Sequence, residues 1–232
     1  MKFKFGTDPE FFFMKNNEFI SAHGILPGTK HEPFKLDKGA VQVDGMAAEF
    51  NIDPAQSAEE FDNNISVVLT QVAEIVRKHD KDIRFVFTPY AKFDQDYFNL
   101  QPLESKILGC DPDFDIHGDQ KVPPEDLMFS PFRTAAGHFH IGFAETDDPY
   151  NQKHLEKCKF ISKNFLGEQF FVPRTPLEKE RIKYYGAEGS LRPKTYGVEL
   201  RTPSNLWVAS SKFRRKMFNN AAKKMSEIEH AL

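Results

Sequence analysis

A chain of 232 residues, 40% hydrophobic and 28% charged, has the composition of a globular protein with enough apolar material for a core. None of its apolar runs reaches the roughly 18 residues that a membrane-spanning helix needs. A net charge of −3 argues against a general nucleic-acid footprint. Cys110 and Cys158 supply no disulfide framework, and the first residues, MKFKFGTDPE, contain no cleavable hydrophobic region. The expectation is therefore a cytoplasmic protein with no membrane and no nucleic-acid partner. No low-complexity linker interrupts the sequence, which predicts one domain over 1–232.

In chain order, FKFGTDPEFFF (3–13) reads as a Phe-rich strand carrying Asp8 and Glu10, with Pro9 marking an edge or a bulge. AVQVDGMAAEFNI (40–52) places Asp44-Gly45 between two alternating runs, a hairpin signal. The clearest helix follows: Ser57 and Glu60 form a capping-box pattern. Phe61, Ile65, Val68, Leu69, Val72, Ile75 and Val76 then share one helical face. IRFVFTP (83–89) reads as a strand, and 91–134, rich in Pro, Asp and Gly, as loop with short elements. GHFHIGF and YGVELRT alternate strictly. Helices are predicted over 151–166, with Leu155, Cys158, Ile161 and Phe165 inward, and over 209–230, with Phe213, Met217, Ala221, Met225 and Ile228 on one stripe. The basic residues Lys212, Arg214, Arg215 and Lys216 are expected on a solvated face. This irregular order predicts an α+β fold, a mostly antiparallel sheet with helices on one face. G-x-D-P-acid-F occurs at 6–11 and again at 109–114, either an old duplication or chance similarity.

Residues two apart on a strand share a face. By that rule Asp8 and Glu10 oppose Pro9, Phe11 and Phe13; Glu49 and Asn51 oppose Ala48, Phe50 and Ile52. His138 and His140 oppose Phe139, Ile141 and Phe143; Glu199 and Arg201 oppose Val198 and Leu200. Each pair alone fits an ordinary half-solvated sheet. Such faces favour Thr, Lys, Arg and Ser, however, whereas this one combines an Asp, three Glu and two His. Gathered carboxylates repel one another unless cations offset them. Oxygen ligands with one or two imidazoles suit magnesium or manganese, so the face reads as a metal-binding floor.

ERIKYYGAEGSLRPKTYGVELRT supplies Arg181, Arg192 and Arg201, with Lys183 and Lys194 nearby. Gly186, Gly189 and Gly197 permit tight turns that bring backbone towards a ligand. Arginine beside carboxylate-bound divalent ions is the equipment of phosphoryl transfer; a salt-bridged loop on the rim is the plainer alternative. The sequence holds no G-x-x-x-x-G-K-[ST] loop and no G-x-S-x-G elbow.

GTDPEFFF, VQVDGMAAEFNI, GCDPDFD, RTAAGHFHIG and YYGAEGSLRPKTYGVELRTPSN, spread over residues 6–206, resemble the glutamine synthetase and glutamate–cysteine ligase superfamily, most closely its small phage-type carboxylate–amine ligases. The resemblance implies a glutamine synthetase-like catalytic fold and an ATP-dependent, amide-forming ligase with magnesium or manganese. Carboxylate and amine substrates would be small molecules or peptides, and a phage-encoded chain would act in the host cytoplasm. It implies that Asp8 and Glu10 bind two different metals, that Glu49 joins the Glu10 metal with Asp44 as helper, and that Glu199 joins the Asp8 metal. His138 would be the metal ligand and His140 the phosphate contact, or the reverse; Arg192 and Arg201 would address the phosphates as catalytic and nucleotide-binding groups, with Arg181 a further catalytic arginine. Relatives often assemble sites between subunits, which leaves a homo-oligomer open.

Three departures stand out: no clear counterpart of the separate N-terminal domain is seen in the sequence, Asp stands for Glu in the first pair, and glutamate- or ammonia-binding residues cannot be mapped. Asp111 and Asp113 could belong to a substrate wall or lid. A metal-dependent hydrolase and a non-catalytic binding protein are the rival readings. Glu10→Ala or Glu199→Ala is expected to abolish ligation and leave folding nearly intact.

Overall fold

The computed structural model describes residues 3–106, 113–117, 120–121 and 129–232. Residues 109–112 of the second copy of G-x-D-P-acid-F, and with them Cys110 and Asp111, lie outside them, as does the side chain of Asp113. Strands β1 (Lys4–Lys15), β2 (Glu18–Ile20), β3 (Phe34–Leu36), β4 (Gly39–Asp44) and β5 (Ala47–Ile52) precede the long helix α1 (Ala58–His79). Short elements fill the next stretch: β6 (Arg84–Val86), β7 (Tyr90–Lys92), α2 (Gln95–Leu100), α3 (Leu103–Lys106), β8 (Asp113–Phe114), β9 (Gln120–Lys121) and β10 (Phe132–Thr134). The remainder is β11 (Gly137–Gly142), α4 (Gln152–Asn164), α5 (Pro176–Arg181), β12 (Leu191–Lys194), β13 (Gly197–Leu200), a 3₁₀ turn (Asn205–Ala209) and α6 (Ser211–Ile228). Among the described residues no helix is long and apolar enough to cross a membrane.

The chain is α+β. Eleven of these strands join one sheet in the order β3-β4-β5-β1-β11-β13-β12-β8-β9, with β2 and β6 also on β1. Every described strand pair is antiparallel. α1, α4 and α6 cover one face. Phe61, Ile65, Val68, Val72 and Val76 of α1 meet Cys158 and Ile161 of α4, Met217, Phe218, Ala221 and Met225 of α6, and Phe5, Phe11, Val41, Phe50, Phe139, Ile141, Val198 and Leu200 of the sheet. The Phe61 ring lies 5.7 Å from both Phe139 and Phe218 and 5.9 Å from Trp207, and Phe139 meets Trp207 at 6.4 Å along this interface.

Five expectations change. Pro9 lies in a central strand, where the Glu10 N–H points to Ala136 O, so the Pro9 nitrogen points towards β5. Pairing on that side begins only at Glu10↔Glu49, and between there and the Phe5↔Ala55 bridge the β5 side carries one more residue than β1, a bulge-like shift that needs no Pro9 donor. The hairpin turn is Gly45-Met46 rather than Asp44-Gly45, because Asp44 pairs with Ala47 and Gly45 alone takes positive φ (59°). Phe213 is 42% exposed instead of inward. Arg214 and Arg215 are not merely solvated, since both reach Asp62 of α1 (3.1 and 3.0 Å). Phe12, on the same face of β1 as Asp8 and Glu10, seeds a second apolar cluster with Phe93, Phe98 of α2, Met46 and Ala135. Helical cover is therefore not confined to one face.

Phe61 is fully buried at the meeting of α1, the sheet and α6. Phe61→Ala is expected to lower unfolding free energy by about 3–5 kcal/mol, measured by urea denaturation. A loss under about 1 kcal/mol would show that this interface is not the core of the fold.

Candidate functional site

Register, more than sequence proximity, assembles the site. Asp8 lies opposite His138, Gly6 opposite His140, His140 opposite Glu199, and Arg192 opposite Glu199, while Glu10 lies opposite Glu49. Directly opposed residues on adjacent strands bring their side chains into contact range. Five neighbouring strands thus compose one polar floor from segments almost 200 residues apart. Above it opens a cavity of about 510 Å³, whose lining includes Asp8, Glu10, Asp44, Glu49, His138, His140, Arg192, Lys194 and Arg201. That size lies within the range of small-molecule sites.

One half of the floor is acid with imidazole. Asp8 Oδ1 lies 2.9 Å from His140 Nε2 and 3.2 Å from His138 Nδ1. His138 Nδ1 is also 3.4 Å from Glu199 Oε1. Burial raises the Asp8 carboxyl, but His140 and His138 together outweigh it and hold the group well below the usual carboxylate range. Burial and the nearby Arg201 charge push the His138 imidazole down. Glu199 is completely buried and surrounded by cations: Arg201 donates to its Oε1, Lys194 Nζ stands 2.8 Å from Oε2, and Arg192 lies 3.8 Å from Oε1. Burial works against the Lys194 charge, yet Glu199 and Asp8 raise its pKa overall.

The other half is acid upon acid. Burial, and then the Asp44 charge, push the Glu10 carboxyl up to about 8. Glu49 rises well above its ordinary value through burial and repulsion from Asp8, Asp44 and Glu10; burial raises Asp44 too. Backbone and amide groups hold these acids in place. Ala136 N–H donates to Glu10 Oε2 (2.8 Å), Asn205 Nδ2 donates to the Glu10 carbonyl (2.9 Å), and Gln42 Nε2 donates to Glu49 Oε2 (2.7 Å).

The half that holds Asp8 and Glu199 suits a cation. Ligand atoms of Asp8, His140 and Glu199 all fall within 4.8 Å of one another, a spread that one ion can bridge. Among the described residues Glu10, Asp44 and Glu49 form no ligand group of that spread; they are a cluster of buried carboxylates whose mutual repulsion a nearby cation would relieve.

Arg192 and Arg201 line the cavity; Arg181 is absent from the lining. Its guanidinium, buried to 1% exposure, donates to Thr202 O (2.8 Å) and Arg201 O (3.0 Å). It therefore supports the strand end that carries Arg201, and its charge also lowers the Glu10 pKa. Gly186 serves this arrangement rather than a ligand: at φ 67°, a Cβ there would stand 2.4 Å from Arg181 Nη2. Gly197 likewise permits close strand approach, since its Cβ would meet Ile141 O at 2.0 Å.

Tyr185 and Tyr196 were not among the residues that strand parity selects. Tyr185 OH lies 3.2 Å from His138 Nε2, and its ring sits 4.9 Å from the Arg201 guanidinium. Tyr196 OH lies 2.7 Å from His140 Nδ1. Tyr185 follows α5 and Tyr196 occupies the β12–β13 turn, so neither belongs to a strand whose alternation could have flagged it. Their proximity to YYG and KTYG glycines is the only sequence hint. Comparison with models of known protein families finds no match, and comparison with curated proteins finds none either.

Because the Glu10 pKa rises from 4.5 to about 8, the folded chain retains a proton that the unfolded chain releases across that window. Metal-free stability is thus expected to fall as pH rises from about 5 to 8, by at most about 1.4 kcal/mol per pH unit for each such proton. Adding Mn²⁺ or Mg²⁺ should flatten the profile. Thermal unfolding in chelator across this range, with and without the ion, checks it; a flat metal-free profile would contradict the buried acid cluster.

Proposed function

We propose that the chain is an ATP-dependent carboxylate–amine ligase, which joins an acid and an amine through an acyl phosphate. The observation that carries this reading is the facing of Arg192, Lys194 and Arg201 onto an acid–imidazole floor inside one cavity. A floor of that composition holds divalent cations; guanidinium and ammonium groups beside it match phosphate oxygens in charge and in hydrogen-bond geometry. Asp8, Glu199 and a histidine would hold one cation, and Glu10, Glu49 and Asp44 a second. Bound there, the ions would supply charge neutralisation for the polyphosphate.

The chemistry has two steps. A carboxylate oxygen of the acid attacks the γ-phosphorus of ATP, and the bond to the β-phosphate oxygen breaks to release ADP. An amine nitrogen then attacks the acyl carbon; phosphate leaves, and the nitrogen gives up its proton. Arg201 and Arg192 would neutralise charge on the moving phosphoryl group, and Arg181 would fix the Arg201 backbone. Tyr185, stacked on Arg201, would restrict that side chain to the floor. Lys194 would offset the charge of the buried Glu199 carboxylate.

The choice of test variant follows from burial. Glu199→Ala would remove the buried carboxylate that pairs with Arg201 and Lys194, a loss of about 3–5 kcal/mol, and so confounds activity with folding. Glu10→Gln keeps shape and the Ala136 hydrogen bond. The protein is to be screened with ATP, Mg²⁺ or Mn²⁺, a panel of carboxylic acids, and hydroxylamine as a general amine that traps acyl phosphates as hydroxamates. ATP-dependent hydroxamate is expected, with a loss of about 100-fold or more in Glu10→Gln and in Arg201→Lys. Substrate cleavage without ATP would replace this reading by a metal-dependent hydrolase. No binding of a non-hydrolysable ATP analogue with either ion would reject nucleotide chemistry altogether.

A further inference from the structure

The turn between β12 and β13, Thr195-Tyr196, brings two side chains onto the floor from its rim. Lys194 closes β12 opposite Gly197 and places Nζ 2.8 Å from Glu199 Oε2, while Tyr196 places its hydroxyl 2.7 Å from His140 Nδ1. Both residues line the cavity. The carbonyls of Lys194, Thr195, Tyr196 and Gly197 are all held from outside the hairpin. Thr146 N–H donates to Thr195 O (2.8 Å), and Phe143 N–H donates to Tyr196 O (3.1 Å). The outer two, Lys194 O and Gly197 O, meet a single atom of α4, His154 Nε2, at 3.0 and 3.1 Å.

His154 is absent from the cavity lining and only 5% exposed. Carbonyl oxygens only accept, so Nε2 carries the hydrogen and shares it between the two in a three-centre bond. The ring that does this is itself fixed. It stacks on Phe143 (5.2 Å, 19°), and the His154 backbone N–H donates to the Asn151 side chain that caps α4 (3.0 Å). Further along the same stripe of α4, Cys158 Sγ reaches Gly197 O (3.5 Å) and Ser162 Oγ donates to Gly189 O (3.1 Å). Burying an imidazole against an otherwise apolar helix face carries a desolvation cost that an apolar side chain would avoid. What the imidazole adds is a fixed separation between the two carbonyls that close the turn.

We propose that His154 is a positioning residue: by tying Lys194 O to Gly197 O it sets the direction in which the turn delivers Lys194 and Tyr196, and so governs the cavity's grip on a polyphosphate without touching it. This rests on the reading of the cavity as a polyphosphate site. The pairing of β12 with β13 ends at Lys194↔Gly197, so strand hydrogen bonds stop where the turn begins. Lys194 carries one of the held carbonyls, and Tyr196 lies between the two. A rotation of the turn therefore moves ammonium and phenol together. A displacement of that kind, made outside a site, weakens the binding of a ligand whose charges must be met at fixed points.

Calorimetric titration of the full chain with inorganic tripolyphosphate and Mg²⁺ tests this without ATP, acid or amine, so a failed ligase screen and a failed positioning role are separate results. His154→Phe keeps a ring against Phe143 but has no donor; His154→Gln restores N–H groups at similar reach. Affinity is expected to fall about tenfold or more in His154→Phe and to return to within about threefold of wild type in His154→Gln. Circular dichroism verifies folding, and His154→Leu serves as the donor-less variant where the Phe side chain is not accommodated. In a Lys194→Met background the same substitution is expected to cost about threefold or less, because its effect passes through Lys194. In ¹⁵N-histidine NMR, the His140 Nδ1 signal is expected to move in His154→Phe as it does in Tyr196→Phe, and to stay in place in His154→Gln. A full loss that persists in the Lys194→Met background, or that Gln does not reverse, would reduce His154 to general packing and overturn the proposal. Unchanged affinity in a folded donor-less variant, an unmoved His140 signal, or no tripolyphosphate bound by the wild type would overturn it as well.

Discussion

Strand β1 has to satisfy opposite demands on its two faces, and the rest of the molecule is arranged around that conflict. Phe5, Phe11 and Phe13 point into the helix-covered core, so strand geometry forces Asp8 and Glu10 to the other side. β1 is central, paired with β5 and β11, and its outward face is not simply open to water. The carboxylates are largely removed from solvent, and a removed carboxylate must be paired, hydrogen-bonded or protonated. All three responses occur within a few ångströms of one another.

Asp8 is answered by imidazoles and Glu199 by a guanidinium and an ammonium, so that half of the floor is compensated within the protein. Glu10, Asp44 and Glu49 receive hydrogen bonds and mutual repulsion instead, and burial dominates their pKa values. The two halves therefore store different kinds of electrostatic readiness. A ligand with both cationic and anionic parts, a metal-bound polyphosphate for example, relieves both at once. The proposed ligase chemistry draws its physical basis from this asymmetry.

Rigidity comes from groups that never enter the cavity. Arg181 grips the backbone at Arg201 and Thr202, and Gly186 leaves room for its guanidinium. Asn205 links the Glu10 carbonyl to Thr88 O, while Ala136 clamps the Glu10 carboxylate. Tyr185 connects this support to the floor by touching both Arg201 and His138. Such a scaffold holds like charges close together without letting them swing apart into solvent, which a site for highly charged ligands requires.

The sequence by itself determined the elements with strong periodicity: the α1 stripe with its Ser57 cap, the apolar side of each alternating strand, and the side on which Asp8, Glu10, Glu49, His138, His140 and Glu199 lie. Local periodicity suffices there, because a side chain's face depends only on its own strand or helix. Tertiary structure alone decided which strands are neighbours, and hence that Asp8 meets both histidines and that Arg192 opposes Glu199. It also decided the supporting role of Arg181, the outward turn of Phe213, the second cluster around Phe12, and the arrival of Tyr185 and Tyr196 from a helix end and a turn. Those facts depend on cross-strand register and on packing between distant segments, for which alternation along a single strand carries no information.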